Sequence, residues 1–203
     1  MNVDVQDLDI DFLAFSIHKM CGPSGMGGLW GRYDLLDNLR TIQSGGQTVK
    51  TSTYDSIEWA NPPNRFEGGL GNFSGMIATG AAIDYLSKID MDAVHQHEIR
   101  LNSIMTDGIK DLPGIEIIGP LDANMRGGIC SILMSELPAH DIALLLDEAA
   151  GVMVRSGQHC VHSWFNSKGH VNGSLRASAY LYNTEDEARL FAETFSEAVH
   201  AFS

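Results

Sequence analysis

The chain has 203 residues, 44% of them apolar and 19% charged, and its 26 acids against 13 Lys and Arg give a formal charge of −13. A packed core is expected from that balance, whereas electrostatic binding to nucleic acid or to an acidic membrane surface is disfavoured. No apolar stretch could span a bilayer, the opening MNVDVQDLDIDF carries acids where an export signal carries Lys or Arg, and three cysteines without a C-x-x-C pair imply neither a disulfide framework nor a metal site, so a cytoplasmic protein is expected.

In chain order, residues 11–15 (DFLAF) read as a short buried strand and 27–31 (GGLWG) as a second, with a Gly/Pro-rich turn at 21–26 between them. Residues 40–71 show no sustained period and are rich in Gly, Thr, Ser and Pro, the mark of a functional or interface loop. Helices are expected at 73–89 and 91–112, the second from Val94, Leu101, Ile104, Met105 and Leu112 at helical offsets; the change at Asp90 marks a domain boundary. Strands at 115–118 and 128–134, a helix at 139–150 and strands at 152–155 and 174–178 follow. Thr184 and Glu187 form a capping box, and Phe191, Phe195, Ala198, Val199 and Phe202 form the apolar stripe of a last helix. Alternating strands and helices indicate an α/β sandwich.

Two stretches could carry chemistry. Ser16-Ile-His18-Lys19 follows the first strand and precedes a Gly-rich turn, which sets an amine beside a hydroxyl, an imidazole and backbone N–H groups able to hold a phosphate. A surface lysine is the plainer reading. In Arg155-Ser-Gly-Gln-His-Cys160, followed by His162, the cysteine has neighbours that favour the nucleophilic thiolate; the plainer reading is a buried, inert thiol. Arg176 lies within an apolar strand and requires a carboxylate partner, from the protein or from a substrate. His95 and His97, two apart on a helix, are expected in solvent.

The ordered set Val3-Asp-Val5, Asp11-Phe12, Ser16-x-His-Lys19, Gly22-Pro23, Gly45-Gly46, Arg65-Phe-Glu67, Arg155-Ser-Gly-x-His-Cys160, Arg176-Ala-Ser178 and Tyr182-Asn-Thr184 resembles the C-terminal half of a SUF-type cysteine desulfurase of the class V aminotransferase superfamily. The resemblance implies part of the large pyridoxal phosphate-binding domain of a fold-type I transferase at residues 1–90, and the small α/β domain at 91–203. By the same resemblance Lys19 binds pyridoxal phosphate covalently, with Ser16 and His18 beside it and Gly45-Gly46 reaching the site of a second subunit. Cys160 takes sulfur from L-cysteine as a persulfide and passes it to an acceptor protein for iron–sulfur cluster supply, and Arg155, Arg176 and Asn183 bind the substrate.

Residues that pair with the pyridine nitrogen and stack on the ring in the family precede the segment matching Val3. A homodimer, or a heteromer with the missing half, is therefore expected. One position departs from the pattern: Glu67-Gly-Gly-Leu70-Gly-Asn72 has leucine where the family's threonine contacts the neighbouring phosphate.

Overall fold

The computed structural model describes residues 3–202. It divides into two compact units, Met1–Met91 and Asp92–Ser203.

The first unit opens with an antiparallel ribbon of β1 (Phe12–Ser16) and β2 (Gly27–Gly31). Phe12 lies opposite Gly31 and Phe15 opposite Gly28, and a Cβ on Gly28 would stand 2.5 Å from the Phe15 ring. The glycines of GGLWG thus make room for aromatic rings across the ribbon. The expectation of a buried β1 is corrected here: Phe12 is 41% and Phe15 40% exposed, because a two-stranded ribbon has no second layer in this unit to cover it. After the short helix α1 (Tyr33–Asn38), the segment expected to be an irregular loop contains a hairpin, β3 (Val49–Ser52) and β4 (Ile57–Trp59). Its turn is held by Thr53 N–H donating to the Ser56 carbonyl at 2.9 Å. Its strands, VKTS and IEW, are mostly exposed and too short for an apolar alternation to announce them. Helix α2 (Phe73–Ile89) is capped by Asn72, whose Oδ1 accepts from Gly75 N–H at 3.0 Å.

In the second unit, α3 (Met91–Ile109) ends a turn before the expected 112. Strands β5 (Ile115–Ile117), β6 (Ile129–Met134), β7 (Arg155–Gly157) and β8 (Ser174–Ser178) form a sheet in the order β5-β6-β8-β7. Strands β6 and β7 both run antiparallel to β8, and α4 (Ala139–Ala150) lies between them in the chain. Gly151, at φ 65°, stops α4, its N–H donating to the Asp147 carbonyl at 2.8 Å. Alternate residues Cys130 and Ile132 of β6, and Leu175 and Ala177 of β8, join Leu101, Met105 and Ile109 of α3, Ile142 and Leu146 of α4, and the stripe of α6 (Glu185–Phe202) in one core. The capping box starts α6 as read: Glu187 N–H donates to Thr184 Oγ1 at 3.2 Å and Thr184 N–H to Glu187 Oε2 at 2.8 Å.

Strand β7 begins where the expected one ends. Val152 and Val154 pack against the core, which gives them their apolar alternation, but the ladder to β8 joins Arg155–Gly157 only. Helix α5 (His162–Ser167), too short to show a period, follows the cysteine loop and is anchored by buried Phe165.

Candidate active site

In the first unit, β1 runs directly into a turn of 3-10 helix, Ile17–Met20, that carries Lys19. Ile17 is 3% exposed and anchors the turn. A Cβ on Gly22 would lie 2.3 Å from Ile17 Cγ2 and 3.4 Å from the Ala82 Cβ of α2, so glycine there lets the turn seat against the helix. His18 and Lys19 consequently point into the open, and Ser16, Lys19, Phe15, Ala14 and Met20 line a concavity of about 450 Å³. The Ser16 hydroxyl makes no capping bond to the turn, and among the described residues no carboxylate pairs with Lys19. An exposed amine, an uncommitted hydroxyl and a strand-end cleft fit an anionic aldehyde such as pyridoxal phosphate.

Gly45 and Gly46 form a tight loop. Thr48, wholly buried, donates through Oγ1 to the Gly45 carbonyl at 2.7 Å, and Gly69 N–H donates to the Gly46 carbonyl at 2.9 Å. A Cβ on Gly45 would meet the Gly68–Gly69 backbone at 3.2 Å, so two glycine segments lie face to face. Leu70 beyond them is 86% exposed.

In the second unit, β7 leads into a turn closed by Val161 N–H donating to the Gln158 carbonyl at 2.8 Å. The two central residues are His159 (φ 50°) and Cys160 (φ 63°), both left-handed, as a type I′ turn requires. This places the Cys160 thiol in the open, with Arg155 Nη2 donating to its Sγ at 3.8 Å. Cys130 is the cysteine that answers to the inert description: it is fully buried in the core, and burial pushes its thiol up from the usual range.

Arg155 lies directly across from Arg176, and Ser131 lies across from Arg176 on its other side. Arg176 alternates with core residues Leu175 and Ala177, so the two arginines share the sheet face opposite the helices. Among the described residues neither forms an ion pair, and the buried Arg176 Nε has no hydrogen-bond partner. Like charges opposite each other repel. A bound carboxylate would relieve the repulsion and satisfy the orphaned donor.

His159 Nε2 lies 3.0 Å from Ser174 Oγ. Burial, then the Arg176 and Arg155 guanidinium groups, hold its imidazole below the usual 6.5. A lowered folded value means that the unfolded chain binds the proton more readily. The neutral ring's contribution is therefore complete above the unfolded value of about 6.5 and lost as pH falls from there through the lower folded value. We expect urea midpoints to drop between pH 7 and 5, and the drop to shrink in His159→Gln; an unchanged drop would show that His159 is not the group titrating.

Asn183, expected at the substrate, has its amide bonded at both ends: Oδ1 accepts from Tyr180 N–H at 2.9 Å and Nδ2 donates to Glu187 Oε2 at 3.3 Å. The expectation of a solvated His97 is corrected, since its Nε2 is 2.8 Å from the Asn183 carbonyl oxygen across 86 residues. Two residues escape a reading of the sequence alone. Ser174 orients His159, and Gly173 (φ 75°) lets β8 pass under the cysteine turn, where a Cβ would stand 2.3 Å from the Gly157 carbonyl carbon. The only sequence signal is the turn-like Asn172-Gly173 pair before the strand.

The class V aminotransferase family model matches residues 1–191, and the chain belongs to that family. Within it the chain resembles cysteine desulfurases: it is 38% identical over 201 residues to the cysteine desulfurase of Haloferax volcanii, covering 99% of this chain and 46% of that one. To the probable cysteine desulfurase of Streptomyces coelicolor it is 40% identical over 187 residues, 92% of this chain and 44% of the relative. Among solved structures, the apo cysteine desulfurase of Thermococcus onnurineus superposes with a TM-score of 0.91 at 34% identity, over 99% of this chain and 50% of that one. The Escherichia coli cysteine desulfurase CsdA gives 0.89 at 30% identity, over 98% and 48%. The fold is thus that of a partial pyridoxal phosphate-dependent transferase, and the chain spans about half the length of its curated relatives.

Proposed function

We propose that this chain carries the lysine and cysteine machinery of a cytoplasmic, pyridoxal phosphate-dependent cysteine desulfurase, which takes sulfur from L-cysteine, leaves L-alanine and supplies an acceptor protein for iron–sulfur cluster assembly. The observation that carries the reading is the exposed Cys160 at the apex of a two-residue turn, with Arg155 donating to its sulfur. Lys19 would hold the cofactor, flanked by Ser16 and His18, and the cofactor when bound supplies an electron sink. Lys19 Nζ, once free, moves protons at the substrate's carbons. Arg176 and Arg155 bind the substrate carboxylate. The Cys160 sulfur bonds to the substrate's sulfur as the carbon–sulfur bond breaks; the carbon keeps the electron pair and takes a proton, giving alanine and a persulfide.

In this reading the Gly45-Gly46 loop serves the cofactor of a second subunit. Assembly with a second copy, or with a polypeptide equivalent to the rest of the relatives' length, is supported by the open apolar side chains of α2, with Phe73 61%, Ile77 77% and Tyr85 50% exposed.

Pyridoxal phosphate added to the chain should give a visible absorption band that Lys19→Ala abolishes. Cys160→Ser should keep the band and lose the sulfur atom that mass spectrometry finds on the wild type after L-cysteine. No band in the wild type, alone or mixed with the complementary half of a relative, overturns the cofactor assignment. A second reading rests on the setting of Cys160 wholly within the second unit: the chain as a persulfide carrier. In that case Cys160→Ser stops sulfur transfer in a mixture with an active desulfurase while Lys19→Ala does not.

A further inference from the structure

Charge is unevenly spread along this acidic chain. Residues 149–184 contain none of its 26 acids, yet hold Arg155, Lys168, Arg176 and three histidines. The two arginines lie on the sheet face described above, but Lys168 does not belong to that strand pair; it caps the C-terminus of α5 and is exposed. Around it the stretch after Cys160 leaves apolar groups open: Val161 is 50%, Trp164 38% and Val171 66% exposed. Trp164 is held in place, edge-on to Phe165 at 5.0 Å, with the His170 ring at 6.4 Å. Phe165 is 4% exposed and roots the helix. A fixed, half-open tryptophan with Val161 one turn before it and the Lys168 cation one turn after it has the composition of a protein-binding hot spot.

We propose that the face formed by Val161, Trp164 and Lys168, which lie on successive turns of α5 and its caps, docks the protein that collects sulfur from Cys160, and that this partner presents an acidic rim around its own thiol. The inference rests on the desulfurase reading for the identity of the cargo; the surface and its charge preference do not depend on it. Complementarity favours an acidic partner because the chain as a whole carries a charge of −13, whereas the stretch that bears Cys160 carries cations and no acid. In the transfer, the partner's thiolate attacks the outer sulfur of the Cys160 persulfide. A new sulfur–sulfur bond forms on the partner, the bond to Cys160 breaks, and Cys160 keeps the electron pair, so one sulfur atom moves without any other oxidant or reductant.

The test uses disulfide exchange, which needs no cofactor. In a Cys21→Ser chain, Cys160 is converted to its mixed disulfide with nitrothiobenzoate, and release of the coloured thiolate is timed with two thiol peptides, acetyl-Glu-Glu-Cys-Leu-Glu-amide and acetyl-Lys-Lys-Cys-Leu-Lys-amide. Each rate is divided by that peptide's rate with the nitrothiobenzoate disulfide of mercaptoethanol, which removes differences in intrinsic reactivity. At low salt the acidic peptide should be favoured about tenfold, the ratio should fall towards one in high salt, and Lys168→Glu should cut it severalfold. Trp164→Ala should slow both peptides. Equal normalised rates overturn the proposal, as does a preference that survives Lys168→Glu, which would assign the attraction to Arg155 and Arg176 alone. A preference that behaves as expected in a chain that forms no persulfide from L-cysteine, alone or mixed with the complementary half of a relative, upholds the docking face and overturns the desulfurase reading instead.

Discussion

Replacing Phe195 by alanine is expected to destabilise the second unit by about 3–5 kcal/mol, the range for removing a wholly buried aromatic ring. Phe195 is 0% exposed and lies 5.8 Å, ring to ring, from Phe191 on the same face of α6. That face meets β6, β8, α3 and α4 in one core, so neighbours fixed from several directions cannot collapse into the space left behind. Urea unfolding followed by circular dichroism reads the loss. Phe202, on the same stripe but 62% exposed, is the control, and Phe202→Ala should change stability by less than about 0.5 kcal/mol. A loss below about 1 kcal/mol for Phe195→Ala would mean that α6 is not seated on the sheet as described.

Gly173→Ala should be nearly as damaging, and should reach the chemistry as well. At φ 75° an alanine pays a left-handed penalty of about 1–2 kcal/mol. Its Cβ would also stand 2.3 and 2.4 Å from the carbon and oxygen of the Gly157 carbonyl and 2.8 Å from Gln158 N. These are backbone atoms at the entrance to the cysteine turn, and they can yield only if β7 parts from β8. We expect a total loss above about 2 kcal/mol and a severalfold change in the alkylation rate of Cys160 by iodoacetamide. Gly169 separates the two effects, because its φ is 77° but a Cβ there would meet nothing within 4 Å. Gly169→Ala should cost the conformational term alone and leave the alkylation rate unchanged. If the two variants lose the same stability, the close approach is not the reason for glycine at 173.

Elements that announce themselves by local chemistry were legible in the sequence. Helix α6 follows from Thr184, Glu187 and the phenylalanine stripe, and α4 ends where Gly151 turns left-handed. What could not be read depends on partners far along the chain. The exposure of Phe12 and Phe15 depends on what covers a ribbon, and the extent of β7 depends on where β8 comes alongside, so Val152 and Val154 look like strand residues without pairing as one. The hairpin β3–β4 has strands of four and three residues, too short for a hydrophobic period to show. At the candidate site, Arg155 and Cys160 are five residues apart and visibly belong together. The pairing of Arg155 with Arg176 and the bond between His159 and Ser174 are matters of register, which residue types do not encode.

The turn that bears Cys160 also fixes how far its sulfur can travel. Only residues 158–161 separate β7 from α5, and two of these sit in a backbone conformation that L-residues seldom adopt. A thiol on a long mobile arm can visit a donor and then an acceptor; one tethered this tightly moves by side-chain rotation, over a few ångströms at most. If Cys160 carries sulfur as proposed above, that sulfur would be collected where it was received, and the burden of approach would fall on the collector, whose own thiol would have to be carried on a projecting segment slender enough to reach a stationary one.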